Sequence, residues 1–227
     1  MSFDPTAVDT VTVDSYGTLV DPSTVESALA ERIDPAESVS KLWRSRSLMY
    51  TMVSNFIGEY QTFYEMNRDA LQFALESHDI DLSPETIDDV LSTYHDLDPF
   101  DDVRNGLETI VDAGYDVYVL SNGNPEMLGS MVETAGLESV IADTISAHEI
   151  RTFKPHVDVY RHAASRTGTP IESIAHVAGP TFDVQGAMHA GMQGVWIDRG
   201  SGVWDPFDGD PDLVVETFHE FAGALEP

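Results

Sequence analysis

Four polar points in this chain follow apolar runs. Asp14 comes after Val8, Val11 and Val13, and Ser121 with Asn122 after Val117 to Leu120. Lys154 lies in the loop beyond Ile141 to Ser146, and Asp183 lies beyond Ile174 to Ala178. A carboxylate stripped of water is a usable nucleophile, and covalent attack divides one hard displacement into two easier steps. Other chemistries are poorly supplied. The absence of cysteine excludes a disulfide scaffold, a thiolate zinc site and a cysteine nucleophile. The eight histidines show no metal-ligand spacing, and His148, His156, His162, His176 and His189 read as surface or packing residues.

These points matter only if the fold converges them. The opening β-branched run, ending in Asp14-Ser15-Tyr16-Gly17-Thr18-Leu19, reads as a buried strand delivering a side chain to a sheet's C-terminal edge. From residue 100 the texture alternates. Strands are expected at Asp116–Ser121, Ile141–Ser146, Ile174–Ala178 and Gly194–Asp198, with helices near 101–112, 125–135, 156–167 and 183–190. Such alternation implies an α/β fold, a doubly wound parallel sheet with right-handed crossovers, whose ligands bind beyond the carboxyl ends of the strands. Between the first strand and residue 100 the pattern is helical. Val39, Leu42, Trp43, Met49, Tyr50, Val53, Phe56 and Ile57 keep a 3.6-residue period, a further helix runs from Gln61 to about Ser77, and Ser83-Pro84-Glu85 begins another. The expected organisation is a core of 1–19 and 99–227 with an inserted helical cap at 20–98.

At 227 residues the chain suffices for one core carrying a lid. Its 40 acids against 11 Lys and Arg give a net charge of −29, which argues against nucleic-acid binding. The acids are dispersed among apolar runs rather than blocked, which excludes disorder and an acidic tail. A folded protein adapted to concentrated salt fits: a molar electrolyte cuts the Debye length to about 3 Å and relieves self-repulsion. Only Lys41 and Lys154 are lysines, in keeping with such a surface. No run reaches the ~18 apolar residues of a membrane helix, and Met1 to Thr10 has no basic-then-apolar signal pattern, so a cytoplasmic location is expected.

In order along the chain, Asp14-Ser15-Tyr16-Gly17-Thr18-Leu19, Leu120-Ser121-Asn122-Gly123, Lys154-Pro155 with Tyr160, and the loop holding Asp183 resemble the haloacid dehalogenase superfamily. The resemblance covers essentially the whole chain. Phosphatases of that superfamily carry an acid two residues after the nucleophile and paired acids in the fourth motif. Here Tyr16 takes the first position, and Gly179-Pro180-Thr181-Phe182-Asp183 supplies one acid. Two aspartates alone make a poor Mg²⁺ site, and phosphoryl transfer without a metal loses its charge-neutralising partner. No metal and no cofactor are expected. Tyr16 instead looks like the L-2-haloacid dehalogenase branch, as does Trp43-Arg44-x-Arg46-x-Leu48-x-Tyr50 in the lid, with Asn67-x-Asp69-Ala70-Leu71 beyond it.

That resemblance implies a covalent mechanism. Asp14 attacks the carbon bearing the halogen, and water hydrolyses the resulting ester. Lys154 keeps Asp14 ionised and stabilises the oxyanion, Thr18 and Ser121 donate hydrogen bonds, and Asp183 activates the water. Arg44 and Asn122 cradle the halide, Tyr16 and Phe182 wall the pocket, Tyr160 bonds near the carboxylates, and Ser15 and Tyr16 offer backbone N–H groups to the substrate carboxylate. Periodicity alone does not separate Arg44 from Arg46. The implied partners are a small 2-haloacid and halide, and a homodimer through the lid. The chain departs from the pattern where the branch has Ser-x-Asn, here Ala178 and Pro180, neither with a side-chain hydrogen bond to offer. Unless Thr181 recovers one of these contacts, either ester hydrolysis is slowed or the natural substrate is another one. A phosphatase or other hydrolase of this superfamily, and a non-catalytic binding homologue, are the alternatives.

Overall fold

A computed structural model describes residues 2–200, 202–207 and 209–226. Its sheet contains β1 (Thr10–Val13), β2 (Asp116–Ser121), β3 (Asp143–Ser146), β4 (Ile174–Ala178), β5 (Gln193–Ile197) and β6 (Leu213–Val215). The strand order is β3-β2-β1-β4-β5-β6, and every neighbouring pair is parallel. β1 and β4 are buried at every position, as strands covered on both faces must be. The order reverses beside β1, where a doubly wound sheet opens its crevice.

Helices cover both faces. Val117 and Val119 point to the layer of α5 (Val103–Asp112), α6 (Pro125–Thr134) and α9 (Phe218–Leu225). Leu120, Ile145 and Ile174 point the other way, onto Tyr160 and Ala163 of α7 (Val157–Thr167) and Ala187 of α8 (Thr181–Ala190). Some boundaries differ from the sequence expectation. β3 begins at Asp143 rather than Ile141, β5 ends at Ile197, and α8 begins at Thr181 because Pro180 stands at its N-cap. The sequence reading also passed over β6 and α9. α9 is short, but it buries Phe218, Phe221, Ala222 and Leu225, and Thr217 caps it by accepting the Glu220 N–H.

Between β1 and α5 lie α1 (Ser23–Ala30), α2 (Ala36–Ile57), α3 (Phe63–Glu76) and α4 (Pro84–Ser92). The chain leaves and returns side by side: Asp21 N–H donates to the Asp98 carbonyl at 2.9 Å, and Phe100 N–H to that of Leu19 at 3.0 Å. Local chemistry sets the helix ends. α2 stops at Gly58, whose φ of +72° suits a residue without a Cβ, and a Thr62/Glu65 capping box starts α3. The α2–α3 pair is locked by polar bonds: Trp43 Nε1 donates to the Asn67 carbonyl at 2.8 Å, and Ser47 Oγ to Asn67 Oδ1 at 2.9 Å. No helix among the described residues is long and apolar enough to cross a membrane.

Candidate active site

Asp14 is the first residue past β1, and its N–H extends the ladder to the Val177 carbonyl at 3.0 Å. The chain then turns sharply at Gly17, φ +78°. This brings Thr18 back beneath Asp14, where its hydroxyl donates to Asp14 Oδ2 at 2.9 Å. Because Gly179 N–H donates to the same Thr18 oxygen at 2.9 Å, the hydroxyl proton is directed at the carboxylate. The approach requires Gly179: a Cβ there would sit 2.3 Å from the Gly17 carbonyl oxygen.

Lys154 comes from the loop between β3 and α7 and is 2% exposed. Its Nζ donates to Asp14 Oδ1 at 2.9 Å, Asp183 Oδ2 at 2.6 Å and the Leu120 carbonyl at 2.6 Å, which uses all three of its protons. The Lys154 backbone is held too, its N–H donating to Asn122 Oδ1 at 2.9 Å. Asp183, in the first turn of α8, accepts from Tyr160 Oη at 2.7 Å on Oδ1.

One buried cation thus serves two buried carboxylates. Burial, with the Asp183 charge adding to it, pushes Asp14 above the ordinary carboxylate range, against the pull of Lys154 and Thr18. Burial works on Asp183 in the same direction, but Lys154 and His176 together outweigh it and hold Asp183 far below that range. Burial alone would favour a neutral Lys154. Its two carboxylate partners overcome this and keep the ammonium charged, above its ordinary range.

A cavity of about 210 Å³ opens above these groups. Asp14, Lys154 and Asp183 form its floor with Ser121 and Asn122, and Tyr16, Phe182 and Pro180 wall it. Arg44 reaches it from α2, where its guanidinium also pairs with Glu26 at 3.2 Å. The neighbouring Arg46 instead lies 4.0 Å over the Phe73 ring. The remaining residues named from sequence sit behind the lining. Thr18 and Tyr160 bond the two carboxylates, and Ser15 Oγ is 2.6 Å from Ser121 Oγ. Ala178 is fully buried against Val184 and Trp196.

Sequence reasoning passed over several of the surrounding groups. Ser47, Phe63 and Tyr94 join the lining, and Leu48 and Asn67, noted only as parts of motifs between residues 20 and 98, join them. Tyr16 stacks on Phe63 and meets Tyr94 edge-on, so the apolar wall is one aromatic cluster. A polar Asn67 among the apolar positions of α3 was the available signal. His176, read as a surface or packing residue, is not at the surface: it is wholly buried in β4, with Nδ1 2.9 Å from Thr12 Oγ1 and Nε2 3.1 Å from Asp183 Oδ2. A histidine inside the run Ile174 to Ala178 was its only mark.

Comparison with known proteins agrees with this geometry. Residues 8–191 match the family model described as haloacid dehalogenase-like hydrolase. An (S)-2-haloacid dehalogenase of Pseudomonas fluorescens is 31% identical over 213 residues, covering 93% of this chain and 94% of the relative. A solved L-2-haloacid dehalogenase superposes with a TM-score of 0.93 at 26% identity, covering 97% of this chain and 99% of that one. The L-2-haloacid dehalogenase of Xanthobacter autotrophicus with chloropropionic acid covalently bound superposes at 0.88, also at 26% identity, covering 96% of this chain and 98% of that one. With its parallel sheet, its charged floor and these likenesses over nearly its full length, the chain belongs to the haloacid dehalogenase-like hydrolases.

Proposed function

We propose that this protein hydrolyses the carbon–halogen bond of short L-2-haloalkanoic acids, giving the 2-hydroxy acid of inverted configuration, halide and a proton. One observation carries the reading: a single ammonium, Lys154, bridges Asp14 and Asp183 at the foot of a small, aromatic-walled cavity. That floor suits anionic chemistry in two steps. An Asp14 oxygen attacks C2 from behind, the C–O bond forms as the C–halogen bond breaks, and the halide leaves with the bonding pair. Water then adds to the Asp14 carbonyl carbon, Asp183 takes its proton, and Lys154 with Thr18 stabilises the oxyanion. Collapse expels the alkoxide, which takes the proton from Asp183 to give the hydroxy acid, and the second water proton leaves the Asp14 carboxyl for solvent, restoring the carboxylate. In the first step, the guanidinium of Arg44 and the amide of Asn122 receive the halide, and Tyr16, Phe63 and Phe182 exclude water.

The inserted helices at 20–98 serve as a lid over this floor, supported by the paired crossings at Leu19–Asp21 and Asp98–Phe100. The acidity of the chain supports operation in concentrated salt. On α2, Met49 (40% exposed), Val53 (42%), Phe56 (91%) and Ile57 (64%) support self-association through the lid. The deciding experiment is bromide release from L-2-bromopropionate in molar KCl. Release that survives a chelator and disappears in Asp14→Asn is the expected result. Mg²⁺-dependent release of phosphate from p-nitrophenyl phosphate, without halide release, would replace this reading with a phosphatase.

A further inference from the structure

We infer that His176 is a positioning residue that holds Asp183 for the hydrolysis of the Asp14 ester, a role that rests on the dehalogenase reading above. The electrostatics select its tautomer. Asp183 Oδ2 lies 3.1 Å from Nε2, and a lone pair on that nitrogen would face a carboxylate at contact distance. The proton therefore belongs on Nε2, and Nδ1 accepts from the Thr12 hydroxyl at 2.9 Å. The register fixes this pair, since Thr12 and His176 are direct neighbours across β1 and β4. Tyr160 packs edge-on to the imidazole at 5.8 Å and donates to the same aspartate. The Nε2–H is off the line of a well-formed hydrogen bond, and among the described groups it has no other acceptor.

What the contact adds follows from counting acceptor sites. A carboxylate offers about four. Tyr160 occupies one on Oδ1 and Lys154 one on Oδ2, and the His176 Nε2, 3.1 Å from Oδ2, covers the other site on that oxygen. The remaining site is on Oδ1, so a water proton has one place to go. The contact also matters in only one half of the cycle. Once Asp14 is an ester it carries no charge, and Asp183 becomes the only anion of the triad beside Lys154. Unopposed, the ammonium would shift toward Asp183 and away from the ester carbonyl. A donor from His176 on Oδ2 competes for that oxygen and leaves Lys154 on the carbonyl. Ala178 and Pro180, on either side of Gly179, bring no side-chain donor to share the task.

The test separates the two half-reactions by rapid quench with L-2-bromopropionate in molar KCl, reading bromide and intact protein mass. His176→Asn keeps an amide near the Nδ1 position but loses the donor to Asp183, whereas His176→Gln places an amide N–H where Nε2–H was. The expected result for His176→Asn is a halide burst at the wild-type rate, followed by ester decay slowed by about tenfold to a hundredfold, with the adduct mass on Asp14 accumulating. His176→Gln restores most of the decay rate. If His176→Asn does not fold, Thr12→Val, which frees the tautomer, is expected to slow decay selectively as well. Unchanged decay in a folded variant, or equal slowing of burst and decay, overturns the role of His176. A wild-type protein that releases no halide overturns the reading of the reaction instead. The nitrogen chemical shifts of the His176 ring still report whether Nε2 carries the proton, and an Nε2 without a proton overturns the positioning independently of turnover.

Discussion

Replacing Lys154 with Met tests the charged floor most severely. The side chains are similar in length, so the change removes one charge and three hydrogen bonds while leaving little cavity. Two carboxylates then face each other, with 7% exposure for Asp14 and 1% for Asp183. Breaking a buried ion pair from one side costs about 3–5 kcal/mol. The protein can limit that cost by binding a proton at Asp14, which burial already pushes upward. Placing a proton on a carboxyl of ordinary value 3.8 costs about 4 kcal/mol at pH 7 and almost nothing at pH 4, so the limit itself depends on pH. In the wild type, Asp183 is held below its ordinary value, and the stability this contributes is present above 3.8 and lost only as pH falls further. The gap between wild type and Lys154→Met is therefore widest near neutrality and closes toward pH 4. Denaturant melts in molar KCl are expected to give a gap of about 4 kcal/mol at pH 7, or a melting temperature lower by about 8–16 °C. Near pH 4.5 the residual gap is that of the orphaned Leu120 carbonyl, about 1–3 kcal/mol. Adding Asp183→Asn to Lys154→Met restores much of the stability at pH 7 and none of the halide release. A gap below 1 kcal/mol, or one that does not change with pH, would refute the reasoning.

Other expectations follow from the same geometry. Since Asp14 attacks only when ionised and burial raises it, kcat/KM falls on the acid side through a value above 3.8; a pH profile places that limb, and a limb at or below 3.8 contradicts the burial argument. Gly179→Ala forces a Cβ to within 2.3 Å of the Gly17 carbonyl, which displaces the turn carrying Thr18. A loss of halide release by about tenfold to a thousandfold, with a melting point lowered by only a few degrees, is expected from kinetics and calorimetry. With a net charge of −29, thermal stability rises as KCl goes from 0.1 M to the molar range, and a melting point indifferent to KCl would remove the case for a salt-adapted surface.

Most of the sheet was legible because buried parallel strands read as apolar runs, and those runs lead to Asp14, to Ser121 and, past Ala178, to Asp183. The helices between β1 and α5 were legible from their period and from Pro near their starts. β6 and α9 were not, since three residues of strand and eight of helix carry too little pattern to stand out. Phe63 and Tyr94 were missed because aromatic residues at helical spacing read equally well as core, and only the placement of α3 and the turn after α4 over the sheet turns them toward a cavity.

The residue types and their order thus determined the fold class and the identity of the charged groups, since local periodicity and turn chemistry depend only on near neighbours in the chain. Tertiary structure alone decided how those charges interact. That Lys154 lies between two carboxylates, that its charge and His176 hold Asp183 low while Asp14 is raised, and that a histidine in a central strand faces Asp183 all depend on strand order and register. Electrostatic coupling is a function of distance and of excluded water, and neither is written in the spacing of residues along the chain.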